Sequence, residues 1–303
     1  MRSGSIGLSI ILTLVLMTSY SCSGLQSPTE PTGVNNIPWS PYILVHANGE
    51  VMMGYREAFS DLKNHGALRG IRINSVDRNG GSKPIVDLAV SSGLEIVGIF
   101  DNDDLFDDNV EASIDQIFRI YYPEITVFQF GNELTTIIPK TQPQMNIETY
   151  MLKLKRIYKH LRTNYPDVVL VTQSTFGSGF YGANELKRMA ELGLKDMSPQ
   201  FVILGMNIYT ESALDEIAAI RRNHLGEYRV WVMESGTNVP DNQVSYVVNF
   251  YPRIRSELAA ERIYWYALWA GDEGSQDTGF NLIGHPQTSQ ITMSPLYKYL
   301  TGR

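Results

Sequence analysis

From residue 42 onward the chain repeats one pattern eight times: a short apolar run, a polar loop, then a segment with helical spacing. The runs are Tyr42–His46, Gly70–Asn74, Glu95–Phe100, Ile125–Gly131, Val168–Gln173, Phe201–Asn207, Arg229–Glu234 and Arg262–Trp269. Most are rich in β-branched and aromatic residues, and they read as strands buried on both faces, as a parallel sheet requires. Helical periods follow them at Tyr55–Asn64, Pro84–Ser92, Val110–Tyr121, Ile147–Asn164, Ala183–Leu192, Ser212–Asn223, Gln243–Glu257 and Pro295–Leu300. Pro84 suits the first turn of its helix and Gly93 suits the stop. Eight strands alternating with eight helices over about 260 residues predict an α/β protein, a (β/α)8 or TIM barrel, for which ~250 residues is typical. The rival is a doubly wound open sheet, with ligands at a reversal of strand order. Both place chemistry at the C-terminal ends of the strands. No linker or composition break interrupts residues 40–303, so one catalytic domain is expected there.

Ahead of the barrel, Arg2 precedes an apolar run from Ile6 to Met17, broken by Gly7, Ser9 and Thr13. Small polar residues follow (Thr18, Ser19, Ser21). The run is shorter than the ~20 residues a membrane-spanning helix needs, so residues 1–21 are expected to be a signal peptide. Cys22, the only cysteine, comes directly after. This junction resembles the lipobox of bacterial lipoproteins, in which that Cys becomes the lipidated first residue, although Ser19 stands where Leu is usual and Tyr20 is bulky. Residues 22–39 are rich in Pro, Ser, Gly and Asn and read as a flexible tether. The expectation is an exported domain, lipid-anchored on the periplasmic or cell-surface face of a bacterial membrane, or secreted if Cys22 is unmodified. Its membrane contact would be through the anchor alone.

A formal charge of −7 from 25 Lys+Arg and 32 Asp+Glu argues against a nucleic-acid partner, which needs a basic face. One cysteine excludes a multi-cysteine zinc or iron–sulfur site, and the five histidines form no H-x-x-x-H pair. The chemistry is therefore sought in carboxylates, with no metal or cofactor expected. The fourth run ends V-F-Q-F-G-N-E-L and places Asn132 and Glu133 just past a strand. The seventh ends V-W-V-M-E-S-G and places Glu234 likewise. A carboxylate at the end of a buried strand is costly unless it is paired. Two of them, three strands apart in an eight-stranded barrel, project into one mouth from nearly opposite sides. Hydrolysis of a glycosidic bond uses such a pair: one carboxyl protonates the leaving oxygen and the other attacks the anomeric carbon.

With these residues the sequence resembles clan A glycoside hydrolases, the cellulase, mannanase and galactanase superfamily. Arg72 in G-I-R-I-N, Tyr209 in M-N-I-Y-T and Trp269 in Y-W-Y-A-L-W-A-G fall where that clan places an Arg beside the nucleophile, an aromatic bonded to it, and a Trp flooring the sugar site. The resemblance implies Glu133 as acid/base, Glu234 as nucleophile, Asn132 on the sugar 2-hydroxyl, and a polysaccharide or oligosaccharide substrate. Two positions depart from the pattern. Leu134 follows the Glu where many members have Pro, and no His precedes the strand-six Tyr. Trp265, four residues before Trp269, is expected to lie deeper, in the core.

The acidic stretch 101–108 fails the EF-hand template, with Phe106 where Gly is required and Ala112 where the bidentate Glu belongs, and reads as a solvated rim. Gly177–Gly182 spells G-x-G-x-x-G, but three residues separate the strand from its first Gly and no acidic residue ends the next strand. A metal-assisted barrel enzyme would use Asp101, Glu133 and Glu234 as oxygen ligands for Mg²⁺. A non-catalytic carbohydrate-binding barrel would keep the aromatic residues without needing both glutamates.

Overall fold

The computed structural model describes residues 37–46, 52–134, 145–175, 179–271, 275–288 and 291–303. The signal segment, Cys22, most of the tether and residues 177–178 of the glycine-rich motif lie outside them. Eight parallel strands close into a barrel in sequence order: β1 (Tyr42–Val45), β2 (Gly70–Val76), β3 (Glu95–Phe100), β4 (Val127–Phe130), β5 (Val169–Val171), β6 (Val202–Asn207), β7 (Arg229–Ser235) and β8 (Ala260–Trp265). Closure is made by β8 on β1, with Tyr42 opposite Tyr264 and Ile43 opposite Trp265. The fold is the single-domain (β/α)8 barrel that the repeating pattern predicts.

The helices α1 (Met52–Asn64), α2 (Lys83–Ser91), α3 (Asn102–Phe106), α4 (Val110–Tyr121), α5 (Ile147–Asn164), α6 (Gly179–Glu191), α7 (Glu211–His224), α8 (Gln243–Leu258) and α9 (Pro295–Thr301) surround it. Pro84 does sit in the first turn of α2, and Gly93 takes a left-handed φ of 64° just beyond its end. Alternation along the strands divides the apolar residues in two. Val97, Val171, Ile203, Trp231, Met233 and Tyr264 fill the barrel interior with Tyr42. The opposite faces, with Ile71, Ile73, Val230, Val232 and Trp265 among them, pack against the helices in the main core.

Two expectations change. The eighth strand ends at Trp265, not Trp269, because its ladder to β7 stops at the pair Ser235–Trp265. Past that point Leu268 donates to Leu44 and accepts from Ile283, so the segment straps across the barrel rim instead of continuing a strand. The acidic stretch is also not a solvated rim throughout. Asp101 caps α3 by accepting from the Asp103 amide at 2.9 Å, and Asp104 is buried against Arg78. A short antiparallel pair, β9 (Ile283–Gly284) with β10 (Thr292–Met293), lies beyond the strap.

Candidate active site

Arg72 is the third residue of β2, and alternation turns it into the barrel, where it is completely buried. A buried guanidinium needs acceptors in several directions, and the strand ends supply them. Nε donates to Gln129 Oε1 at 2.8 Å, Nη1 to Glu234 Oε1 at 2.8 Å, and Nη2 to Asn132 Oδ1 at 2.9 Å. Gln129 donates onward to Ser174 Oγ at 2.8 Å, and that hydroxyl donates to Asn132 Oδ1 at 2.6 Å. The ends of β2, β4 and β7 are thereby tied through one cation.

Glu234 owes its direction to a slip in register. Met233 faces the barrel interior, so strict alternation would send the next residue outward. Between β6 and β7 the pairing runs Met206–Val232 and then Asn207–Glu234, an extra residue on β7. Such a bulge re-aims side chains, and here it puts Glu234 opposite Asn207. Tyr209 Oη donates to Glu234 Oε2 at 2.8 Å and Asn207 Nδ2 to the same oxygen at 3.1 Å. Together with Arg72 these are the partners a buried anionic carboxylate needs. Burial, and then the charge of Glu234, hold the Tyr209 phenol well above its ordinary pKa, so it stays a donor.

Glu133 stands in a different environment. Its backbone takes φ 50°, beside Gly131 at φ 93°. For a residue with a β-carbon this left-handed conformation costs on the order of 1–3 kcal/mol and persists where surroundings impose it. The surroundings here are explicit: the Glu133 amide donates to Ser174 O at 3.1 Å, and Asn102 brackets the Asn132 backbone, accepting from its N–H at 3.1 Å and donating to its carbonyl at 3.2 Å. The Glu133 carboxyl accepts from Asn207 Nδ2 at 2.7 Å. Burial first, and the negative charge of Glu234 second, push its pKa up to about 8 against the opposing pull of Asn207 and Arg72. With that pKa the Glu133 carboxyl holds a proton at neutral pH.

One amide nitrogen thus serves both carboxyls. Contacts of 2.7 and 3.1 Å to Asn207 Nδ2 bring one oxygen of each carboxyl within about 6 Å of one oxygen of the other. Asn207 escapes a reading of the sequence because it sits inside an apolar run. The available signal was that it lies two residues before Tyr209 on an inward-facing register. Gln129 is missed for the same reason, and Ser174 lies one residue past the fifth run, where a small hydroxyl reads as loop.

Arg72, Asn132, Glu133, Tyr209 and Glu234 come together as the sequence suggests. Trp269 does not join their hydrogen-bonded network. The inward face of β8 carries Arg262 and Tyr264, and the same alternation continues to Tyr266 at the first position past the strand. Trp265 lies on the opposite face and is core, packed on Trp39 and Tyr246 with ring centroids 6.3 and 6.2 Å away. Tyr266 is the aromatic at the mouth: its ring lies 6.5 Å from Tyr209, 6.1 Å from His46 and 5.4 Å from Phe280. Its hydroxyl donates to Asp277 Oδ2 at 3.4 Å. His46, at the end of β1, is kept below the ordinary histidine pKa by burial, partly offset by the charge of Glu234. Asp101 stands apart from the glutamates, its carboxylate accepting from the Asp103 amide and from Ser75 Oγ at 2.7 Å. Among the described residues no cluster of three His, Cys, Asp or Glu side chains has the arrangement of metal ligands.

No protein-family model matches the sequence, and no curated protein does. Solved structures do match in fold. An exo-β-1,3-glucanase of family GH128, subgroup VI, from Aureobasidium namibiae is 15% identical, with a TM-score of 0.57 over 86% of this chain and 96% of that one. A β-mannanase from Thermomonospora fusca is 12% identical, with a TM-score of 0.58 over 87% and 88%. Gas2p of Saccharomyces cerevisiae, solved as a Glu-to-Gln mutant with laminaritetraose and laminaripentaose, is 11% identical, with a TM-score of 0.61 over 87% of this chain and 62% of that one. At such identities the likeness is one of barrel architecture; two of these neighbours are named as glycosidases and the third is bound to laminari-oligosaccharides.

Proposed function

We propose that this chain is a retaining glycoside hydrolase acting on a β-linked polysaccharide or oligosaccharide. The observation that carries the proposal is the Asn207 amide shared by Glu133 and Glu234. One nitrogen bonded to an oxygen of each carboxyl supports a short separation, of the kind that suits direct attack on the anomeric carbon. The β-glucanase and β-mannanase among the structural neighbours support a β-linked substrate.

In this reading Glu133, protonated at rest, gives its proton to the glycosidic oxygen as the C–O bond breaks. Glu234, oriented by Arg72 and Tyr209 as hydrogen-bond donors, attacks the anomeric carbon and forms a glycosyl ester. Glu133, now a carboxylate, takes a proton from water, which attacks the same carbon and expels Glu234. Its pKa environment suits both halves of the cycle. Asn132 has its Oδ1 engaged by Arg72 and Ser174, which turns its Nδ2 hydrogens to the sugar 2-hydroxyl. Tyr266 supplies the aromatic surface beneath the ring. Export through residues 1–21 and lipid attachment at Cys22 belong to the same proposal, placing the barrel where polymeric glycans are met.

Reducing-sugar release across a polysaccharide panel identifies the substrate, and azide rescue assigns the roles. Glu133→Ala should still form the glycosyl ester from a nitrophenyl β-glycoside, show a burst, and yield the β-glycosyl azide. Glu234→Ala should be inactive without azide and give the α-azide with it. The same anomer from both variants would refute the assignment.

A further inference from the structure

The segment following β8 does more than close the barrel. Residues 277–281 form a tight turn whose two sides face different places. On one side Phe280 packs at 5.9 Å from Tyr209 and 5.4 Å from Tyr266, and Asp277 accepts from the Tyr266 hydroxyl, so this side belongs to the mouth that holds Glu234. On the other side Thr278 and Asn281 line a separate cavity of about 220 Å³, with Trp269, His285, Thr292 and Met293 around it. The turn is well held: Gln243 Nε2 donates to Gly279 O at 3.0 Å, Trp265 Nε1 donates to Phe280 O at 2.9 Å, and a β-carbon on Gly279 would lie 1.8 Å from Asn238 O. It is a fixed partition between mouth and cavity.

The cavity mixes indole, thioether and hydroxyl-bearing side chains, and Trp269 Nε1 is a buried donor with no partner among the described residues. Polar and apolar surface share the lining about equally, as suits a sugar ring with its apolar face and hydroxyl rim, and the cavity is smaller than the 300–1,000 Å³ usual for drug-sized ligands. Its side of the mouth is also defined. The carbon attacked by Glu234 belongs to the sugar left on the enzyme, and the cavity lies on the Glu234–Tyr266 side. The leaving group is handled by Glu133 from β4.

We infer that the Trp269 cavity is a distal glycone subsite, which takes one sugar ring upstream of the ring being attacked, after the chain crosses the 277–281 turn. This rests on the glycosidase reading, and it makes the protein select chain length on the non-reducing side.

The test uses the full mature chain and two variants: Trp269→Ala, and Thr292→Tyr, which fills the cavity from an exposed position and leaves the core untouched. With 4-nitrophenyl β-glycosides of mono-, di- and trisaccharides in gluco and manno series, Trp269→Ala should lose about tenfold in kcat/KM on the longest active member, the scale of a buried Trp contact, mostly in KM. It should stay within about twofold on the monosaccharide glycoside, and Thr292→Tyr should behave alike. In parallel, Glu133→Gln protein is titrated calorimetrically with laminaritriose and mannotriose, with and without Trp269→Ala. Weaker trisaccharide binding on loss of Trp269 supports the subsite even if no glycoside is cleaved, so its fate is separable from that of the catalytic proposal. Equal losses on mono- and trisaccharide glycosides would overturn it, as would trisaccharide binding that ignores Trp269 or is absent from both proteins.

Discussion

The two ends of the barrel are built from the same parts and reach opposite electrostatic outcomes. At the N-terminal end Arg262 lies between Trp231 and Tyr42, 4.0 and 4.7 Å from their ring centroids, and pairs with Glu95 at 2.6 Å. Glu95 also takes Arg69 at 2.6 Å, while Arg229 and Trp231 Nε1 both donate to Glu261, each at 2.9 Å. Three arginines answer two carboxylates. Burial pushes Glu261 up, but the hydrogen bonds from Arg229 and Trp231 outweigh it and its pKa falls below the ordinary value. At the C-terminal end the balance is reversed: Arg72 is the guanidinium bonded within the pair Glu133–Glu234, and its contact is with Glu234. Glu133 is left with a neutral amide and a high pKa. Counting cations against carboxylates separates an end that closes the barrel from an end that can move a proton. This agrees with the division of barrels into a stabilising lower face and a reactive upper one.

The comparison breaks most visibly at Arg72. Arg72→Met should lower kcat by about 10³-fold, since Glu234, the proposed nucleophile, loses its fixed charge partner. Leaving Glu234 buried without a cation should cost about 3–5 kcal/mol of stability by urea melts. Arg72→Lys should recover part of the stability and little of the rate, because an ammonium cannot serve Gln129, Glu234 and Asn132 in one plane. A smaller effect follows from Glu133. Because Glu133 as the proposed acid must be protonated, kcat/KM on unactivated polysaccharide should fall as pH rises through its pKa near 8, about tenfold per unit beyond it. On a nitrophenyl glycoside, whose leaving group needs no proton, that limb should be absent. The smallest effect on rate belongs to the lower end. Arg262→Met should cost about 1–3 kcal/mol in stability and leave kcat within about twofold. A rate loss there comparable to that of Arg72→Met would erase the distinction between the ends.

Much of this arrangement is legible in the sequence, for reasons that differ by residue. Buried parallel strands must be continuous apolar runs, so all eight could be located, and residues such as Glu133 and Glu234 stand out because charge is costly there. Arg72 stands out for the same reason inside G-I-R-I-N. What the sequence hides are the places where register or chain direction changes. The bulge that turns Glu234 inward leaves no local mark, since V-W-V-M-E reads as one strand. The exit of β8 is equally silent: Y-W-Y-A-L-W is apolar throughout, so the run suggests a strand to Trp269, whereas its ladder stops at Trp265 and the aromatic facing Tyr209 is Tyr266. Asn207 and Gln129 are neutral amides in apolar runs, and their roles appear only when neighbouring strands bring the carboxylates and Arg72 to them.

The central claim is that Glu133 and Glu234, held close by one amide, act in two displacements on the same carbon. The first-formed anomer of the sugar product reports this directly. Proton NMR during the opening minutes of hydrolysis of a β-linked substrate, before mutarotation mixes the anomers, should show the β hemiacetal appearing first and the α form growing only later. Initial release of the α anomer would mean a single displacement by water and would contradict the account.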